Sequence, residues 1–434
     1  MSRRSTATRP TWLPRLLGSR GASSAAGGVN VFILGGHQTD FAKNWGREDA
    51  LADMLGAVVA GALEDARVEA RDIDVSHVGN FAGELFTGQG HLGALIATVE
   101  PALSGKPASR HEAACASGSM AILSAMADIE AGRYDVALVV GVEQMRNVPG
   151  QEAAEHLGAA MFVGHESQEA TFPWPHQFSQ IAEEYDKRYG LDHSHLGAIA
   201  RKNFDNATRN PLAQARSWRF EESAFGPDDH LNPVIEGRLR KQDCGRITDG
   251  AAAIVLASER AAGRWAEQHA VDFVHMPRID GWGHTTAALP LAQKLAAADS
   301  GHLFPHLRRA VEEARKRAGV TLEDVDVIET HDCFSISEYV AYDHLGLTEP
   351  GEAWKAIEDG VTEWTGELPV NPSGGLIGNG HPVGSTGVRM VLDASRQVTE
   401  SSGEYQVPGA KTAQTLNIGG SCTTVASFVV RSGG

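Results

Sequence analysis

The chain has 434 residues, a net charge of −17 and a pI near 5.5, and it is 42% apolar and 21% charged. That length calls for two or three packed units, and the acidic balance argues against broad binding to nucleic acid or anionic membranes. No run of about 18 apolar residues is present to span a bilayer, and Cys115, Cys244, Cys333 and Cys422 stand apart with no CxxC pair, which argues against a zinc module or a disulfide scaffold.

Residues 1–28 hold five arginines, many serines and threonines and no acid, the first acid being Asp40. This composition resembles a mitochondrial transit peptide and predicts a mitochondrial protein; the alternative is a plain extension on a cytoplasmic one. Folded structure is expected from "VNVFILGG" (29–36), a buried strand, followed by a helix over 47–66. Next, "SGSMAILSAMADIEAG" reads as a helix capped at Gly132 and "DVALVVGVE" as a buried strand. From 147 to 245 the pattern changes to helices over 172–190 and 192–211 with long irregular connections and no strand, which predicts an inserted lobe. Strand character resumes at 246–258. Beyond 268 the sequence predicts a helix over 302–319, a strand over 325–330, helices over 335–347 and 387–398, and two final strands joined through Gly419-Gly420. Alternation of this kind predicts an α/β fold, with similar element order on both sides of the lobe.

Four polar clusters, at 110–120, 329–335, 371–387 and 416–424, fall where predicted strands end or helices begin, the positions from which distant side chains meet in one crevice. In "RHEAACASGSM", Cys115 precedes a helix, whose N-terminal N–H groups are expected to lower its pKa toward neutrality and make it a nucleophile; the plain alternative is a small buried hydrophobe. His381, in the glycine-rich "GNGHPVGSTG", is a candidate to accept its proton. "HDCF" adds His331 as a donor to a developing oxyanion, Asp332 as an orienting group and Cys333 as an acid/base thiol.

In this order and spacing the clusters resemble the thiolase family, and within it the sterol carrier protein X type, marked by the box His331-Asp332-Cys333-Phe334 and by "NPSGGLIGNGHPVGSTG". The similarity runs from about 29 to 431. It implies a thiolase-like fold: two similar βαβαβαββ halves, at 29–146 plus 246–267 and at 268–434, with a mainly helical loop domain inserted at 147–245 and an extension at 1–28. It implies that Cys115 is acylated with His381 as base, that His331 and His381 form one oxyanion site, and that the backbone N–H groups of Cys115 and Gly419 form the other. It also implies acyl-CoA substrates with coenzyme A as co-substrate and no permanently bound cofactor or metal, a place in lipid metabolism such as fatty-acid β-oxidation, and a homodimer or dimer of dimers. One position departs from the pattern: ordinary thiolases carry a cysteine where this chain has Asn417, so Cys333 is expected to supply the acid/base thiol, with Cys244 and Cys422 structural.

The reading is a 3-oxoacyl-CoA thiolase. Its competitors are a thiolase-like aldolase or other acyl-condensing enzyme, and a non-catalytic lipid-binding protein. Arg201, Lys202, Arg209, Arg216, Arg219, Arg238, Arg240 and Lys241 are candidates to meet coenzyme A phosphates or are simply solvated.

Overall fold

The computed structural model describes residues 30–46, 50–298 and 301–433. The transit-peptide expectation for residues 1–28 therefore lies outside the described residues. The strands are β1 (Val31–Gln38), β2 (Val75–Gly79), β3 (Ala108–His111), β4 (Val136–Glu143), a small hairpin of β5 (Val234–Glu236) and β6 (Leu239–Arg240), then β7 (Gly250–Ser258), β8 (Arg278–Thr286), β9 (Val327–Thr330), β10 (Thr412–Gly419) and β11 (Thr424–Arg431). All but the hairpin lie in one mixed sheet of order β3-β2-β4-β7-β1-β8-β11-β10-β9.

The sheet is two half-sheets joined by the short pairing of Val31 with Ile279 and Phe32 with Arg278. Read outward from that seam, the halves run β1-β7-β4-β2-β3 and β8-β11-β10-β9. The order of first strand, last, penultimate, second is the same in both. The duplication is incomplete, because the strand equivalent to β3 is reduced in the second half to a parallel bridge between Ile328 and Val370.

Helices cover both faces, and this is why strands such as "VALVVGVE" are apolar without interruption. In β4, Ala137 and Val139 face the central helices Ser117–Glu130 and Thr386–Val398, while Leu138 and Val140 face an outer core with the helices Ala50–Asp65 and Glu259–His269. A third core packs the second half's outer helices, Pro305–Ala318 and Ser335–Leu345, against Pro173–Tyr189 and His193–Ala207 of the lobe. The two central helices begin side by side. A methyl group at Gly118 would lie 2.8 Å from Gly384 O, so the close approach of these two helix starts depends on glycine.

Three strands escaped the sequence reading: β2, β3 and β8. The hairpin β5–β6 also lies in the lobe, where no strand was expected. Among the described residues no helix is long and apolar enough to cross a membrane.

Candidate active site

Cys115 follows the short strand β3 in a tight turn, Ala114–Ala116, immediately before the first central helix. The turn forces Ala114 to a φ of 51°, a left-handed conformation costing about 1 kcal/mol for a residue with a Cβ. Local hydrogen bonds hold it there. The Ser117 hydroxyl donates to Ala114 O (2.6 Å) and accepts from Ala113 N (2.9 Å), and Glu112 accepts from Ala114 N (2.6 Å). His381 occupies the matching place in the second half, after the Val370 bridge and before the second central helix. The pseudo-symmetric duplication thus brings the two side chains together.

The Cys115 sulfur and one ring nitrogen each from His331 and His381 lie within 4.8 Å of one another. The two rings meet edge to face, 5.2 Å apart. The Thr386 hydroxyl donates to Pro382 O (3.1 Å), so it accepts from His381 Nδ1–H (2.7 Å), leaving Nε2 of His381 with a free lone pair. Cys333 lines the same cavity, its sulfur 3.8 Å from the Ser337 hydroxyl. The Asp332 carboxyl accepts from Leu376 N (2.5 Å), Ile377 N (3.1 Å) and Asn203 Nδ2 (2.8 Å), tying the HDCF box to the glycine-rich loop and the lobe. Gly419 ends β10 where any Cβ would collide with Ala113 O. The amide that reaches the Cys115 sulfur is that of the next residue, Gly420, which also lines the cavity.

Electrostatics correct one expectation. Burial pushes the Cys115 thiol up to about 12; the Gly420 amide works against the rise and the Glu143 carboxylate adds to it. The sulfur sits ahead of the helix, inside the protein, and desolvation outweighs any dipole. Burial, and secondarily Arg389, brings His381 down to about 3. Burial, His381 and Arg389 hold His331 well below its ordinary value. Burial and then Cys115 hold the Cys333 thiol well above its own. The resting site is a set of neutral thiols and neutral imidazoles. The three close atoms also have the spacing of a soft-metal donor set. His331 fits that use poorly, since Asn417 Nδ2 donates to its Nδ1 (3.2 Å) and leaves Nε2 carrying the proton rather than a lone pair.

The cavity holds about 310 Å³ and is walled by Met145, Leu157, Trp174, Phe178, Phe334 and Val383, with Cys244 a third thiol on its lining. Trp174 and Phe178 come from the lobe. Cys422 is buried, and its carbonyl accepts from His306 Nε2 (2.7 Å). Of the candidate basic residues, Lys202 is buried against Glu338 and is thereby removed from contact with any ligand. Arg216, Arg238 and Arg240 pair with Asp40, Asp186 and Asp229. The basic residue on the cavity wall is Arg246, whose hydrogen bonds to Lys241 O, Cys244 O and Gln242 Oε1 all go to uncharged acceptors. Sequence reading passed over Arg246, Ser117, Thr386 and Gly420, because their parts are played through a turn, a hydroxyl or an amide that no side-chain pattern advertises.

Fold and site together define the class: a duplicated α/β protein with a cysteine–histidine site where its two central helices begin. The chain belongs to the thiolase family, since the family model for the thiolase N-terminal domain matches residues 31–219 and that for the thiolase C-terminal domain matches 292–432. An acetyl-CoA acetyltransferase of Methanothermobacter thermautotrophicus is 33% identical over 92% of this chain and 99% of its own. Sterol carrier protein 2 of Gallus gallus is 28% identical over 93% of this chain and 72% of its own. Among solved structures, the Ltp2-ChsH2(DUF35) aldolase superposes with a TM-score of 0.75 at 20% identity, covering 94% of this chain and 99% of that one. Human mitochondrial 3-ketoacyl-CoA thiolase in complex with CoA superposes with a TM-score of 0.65 at 17% identity, covering 94% and 98%. At such identities these likenesses are of fold.

Proposed function

We propose that this chain is a 3-oxoacyl-CoA thiolase, an acetyl-CoA C-acyltransferase that forms an acyl thioester on Cys115 and passes the acyl group to coenzyme A, or runs the reverse condensation. The observation that carries the reading is the convergence of the Cys115 sulfur and the His331 and His381 rings within 4.8 Å. The acetyl-CoA acetyltransferases among its relatives support an acyl transfer.

The sulfur attacks the 3-keto carbon as its proton passes to Nε2 of His381, so that an ion pair disfavoured in the resting site forms only as the new bond forms. The acetyl-CoA enolate that departs needs donors at its oxygen and an acid at its carbon. The N–H of His331, with His381 once it is protonated, serves the oxygen. Cys333 is suited to the carbon, because burial keeps its proton on until a strong base arrives. For the acyl oxygen the donors in this reading are the amides of Cys115 and of the Gly419-Gly420 pair, that of Gly420 already reaching the Cys115 sulfur. Coenzyme A thiol then attacks acyl-Cys115 as its proton passes to the Cys333 thiolate, and the departing Cys115 sulfur takes back the proton held by His381.

The apolar wall supports an aliphatic acyl chain as substrate, and Arg246 on that wall supports an anionic part of it. The N-terminal composition supports a mitochondrial location and the family resemblance a homodimer. A retro-aldol reaction needs no acylated thiol, and the aldolase likeness is one of fold, so the cysteine in the cavity favours acyl transfer. The test is a panel of 3-oxoacyl-CoAs of graded length assayed for CoA-dependent cleavage. Cleavage by the wild type and its abolition in Cys115→Ala are expected; a Cys115→Ala variant that retains substantial thiolysis sinks the reading.

A further inference from the structure

Asn417 stands on β10 where ordinary members of the family are expected to carry a thiol, and it links side chains from both halves. The Ser119 hydroxyl donates to its Oδ1 (2.7 Å), and its Nδ2 donates to His331 Nδ1 (3.2 Å). All three residues are buried. A methyl at Gly387 would lie 2.7 Å from Asn417 Oδ1, so glycine at 387 makes room for the amide. A side-chain amide nitrogen can only donate, so Nδ1 of His331 is an acceptor and the single proton of the neutral ring sits on Nε2. Nε2 is itself buried and meets no hydrogen-bond partner in the protein. A buried, unpaired donor beside the nucleophile is a costly feature, and one that a developing oxyanion would satisfy.

We propose that Asn417 is a positioning residue that holds His331 as the neutral Nε2–H tautomer, so that this ring donates to the oxyanion and leaves the role of base to His381. The two rings then carry opposite tautomers by construction. Ser119 and Asn417 set one, and Thr386 with Pro382 O sets the other. The titratable and charged groups that face His331 are His381 and Cys115 across the cavity and Arg389 from the second central helix, and the fields of His381 and Arg389 both oppose an imidazolium. The oxyanion role rests on the thiolase reading, whereas the tautomer does not, and the test separates them.

Histidine-selective ¹⁵N NMR on the substrate-free enzyme, with the His331 signals assigned by their loss in His331→Gln, reads the tautomer without turnover. A protonated, pyrrole-like Nε2 and an unprotonated, pyridine-like Nδ1 are expected; the reverse pattern overturns the proposal. Asn417→Asp keeps the shape but turns the donor into an acceptor. It should move the proton to Nδ1, lower kcat for thiolysis roughly hundredfold at alkaline pH with KM little changed, and restore part of the loss as the pH falls and an imidazolium regains Nε2–H. An Asn417→Asp enzyme with unaltered kcat and pH profile overturns the proposal, and if that variant does not fold the wild-type spectrum still decides it. Should the wild type show the expected tautomer yet cleave no 3-oxoacyl-CoA, the thiolase reading fails and the tautomer assignment stands.

Discussion

Desolvation sets the chemistry of Cys115 more than any helix dipole does. A thiol held near 12 beside an imidazole held near 3 stays neutral over the whole physiological range, so the free enzyme should resist alkylation. Iodoacetamide labelling of Cys115, followed by peptide mapping, should therefore accelerate by about tenfold per pH unit between about pH 6 and about pH 9 with no inflection, since only the thiolate reacts. A plateau below about pH 8 would show a preformed thiolate–imidazolium pair and contradict the neutral resting state. The identities of Cys115, His331, Cys333 and His381 as candidates were legible because each stands in a polar cluster where a predicted strand ends or a predicted helix begins. Their protonation was not, because burial depends on packing that residue order does not carry. Asn417 read as a departure from pattern for the same reason: its amide gains meaning only beside Ser119 and His331.

At the scale of elements, long apolar strands announced themselves, whereas the short β2 and β3 and the polar β8 did not. β4 and β7 are unbroken apolar runs, whereas β3, "ASRH", is short, polar and at the sheet edge. The glycines of β8, "RIDGWGHTT", resemble a turn but serve contact: a methyl at Gly283 would overlap Ala310 O and one at Gly281 would overlap Ala314 O, both on the helix Pro305–Ala318. Gly283→Ala is accordingly expected to lose about 1–3 kcal/mol of stability in urea unfolding by pushing helix from sheet. Unchanged stability would mean that helix and strand are not in close contact. The lobe hairpin β5–β6 pairs so few residues that no alternation could reveal it.

Across the whole molecule, duplication explains why the site lies where it does. Each half delivers one side chain of the candidate site, Cys115 or His381, from the segment before a central helix, and the two helix starts pack together. The halves' similar order was legible in the sequence, while the erosion of one edge strand to the Val370 bridge was not, since a single pairing leaves no periodic trace. The lobe lines the cavity with Trp174 and Phe178, so on the proposed reading chain-length preference falls to it. Ala154→Phe should narrow the cavity and weaken long acyl substrates by about 0.8 kcal/mol for each methylene excluded, leaving the shortest substrate nearly untouched; a uniform loss across a chain-length series would place the acyl group elsewhere. The most direct test of the central claim is the intact mass of the enzyme after brief incubation with an acyl-CoA. One acyl group should be added, mapped to Cys115 and released by free coenzyme A. A mass that never changes while 3-oxoacyl-CoA is cleaved, or an adduct on another residue, would contradict the account.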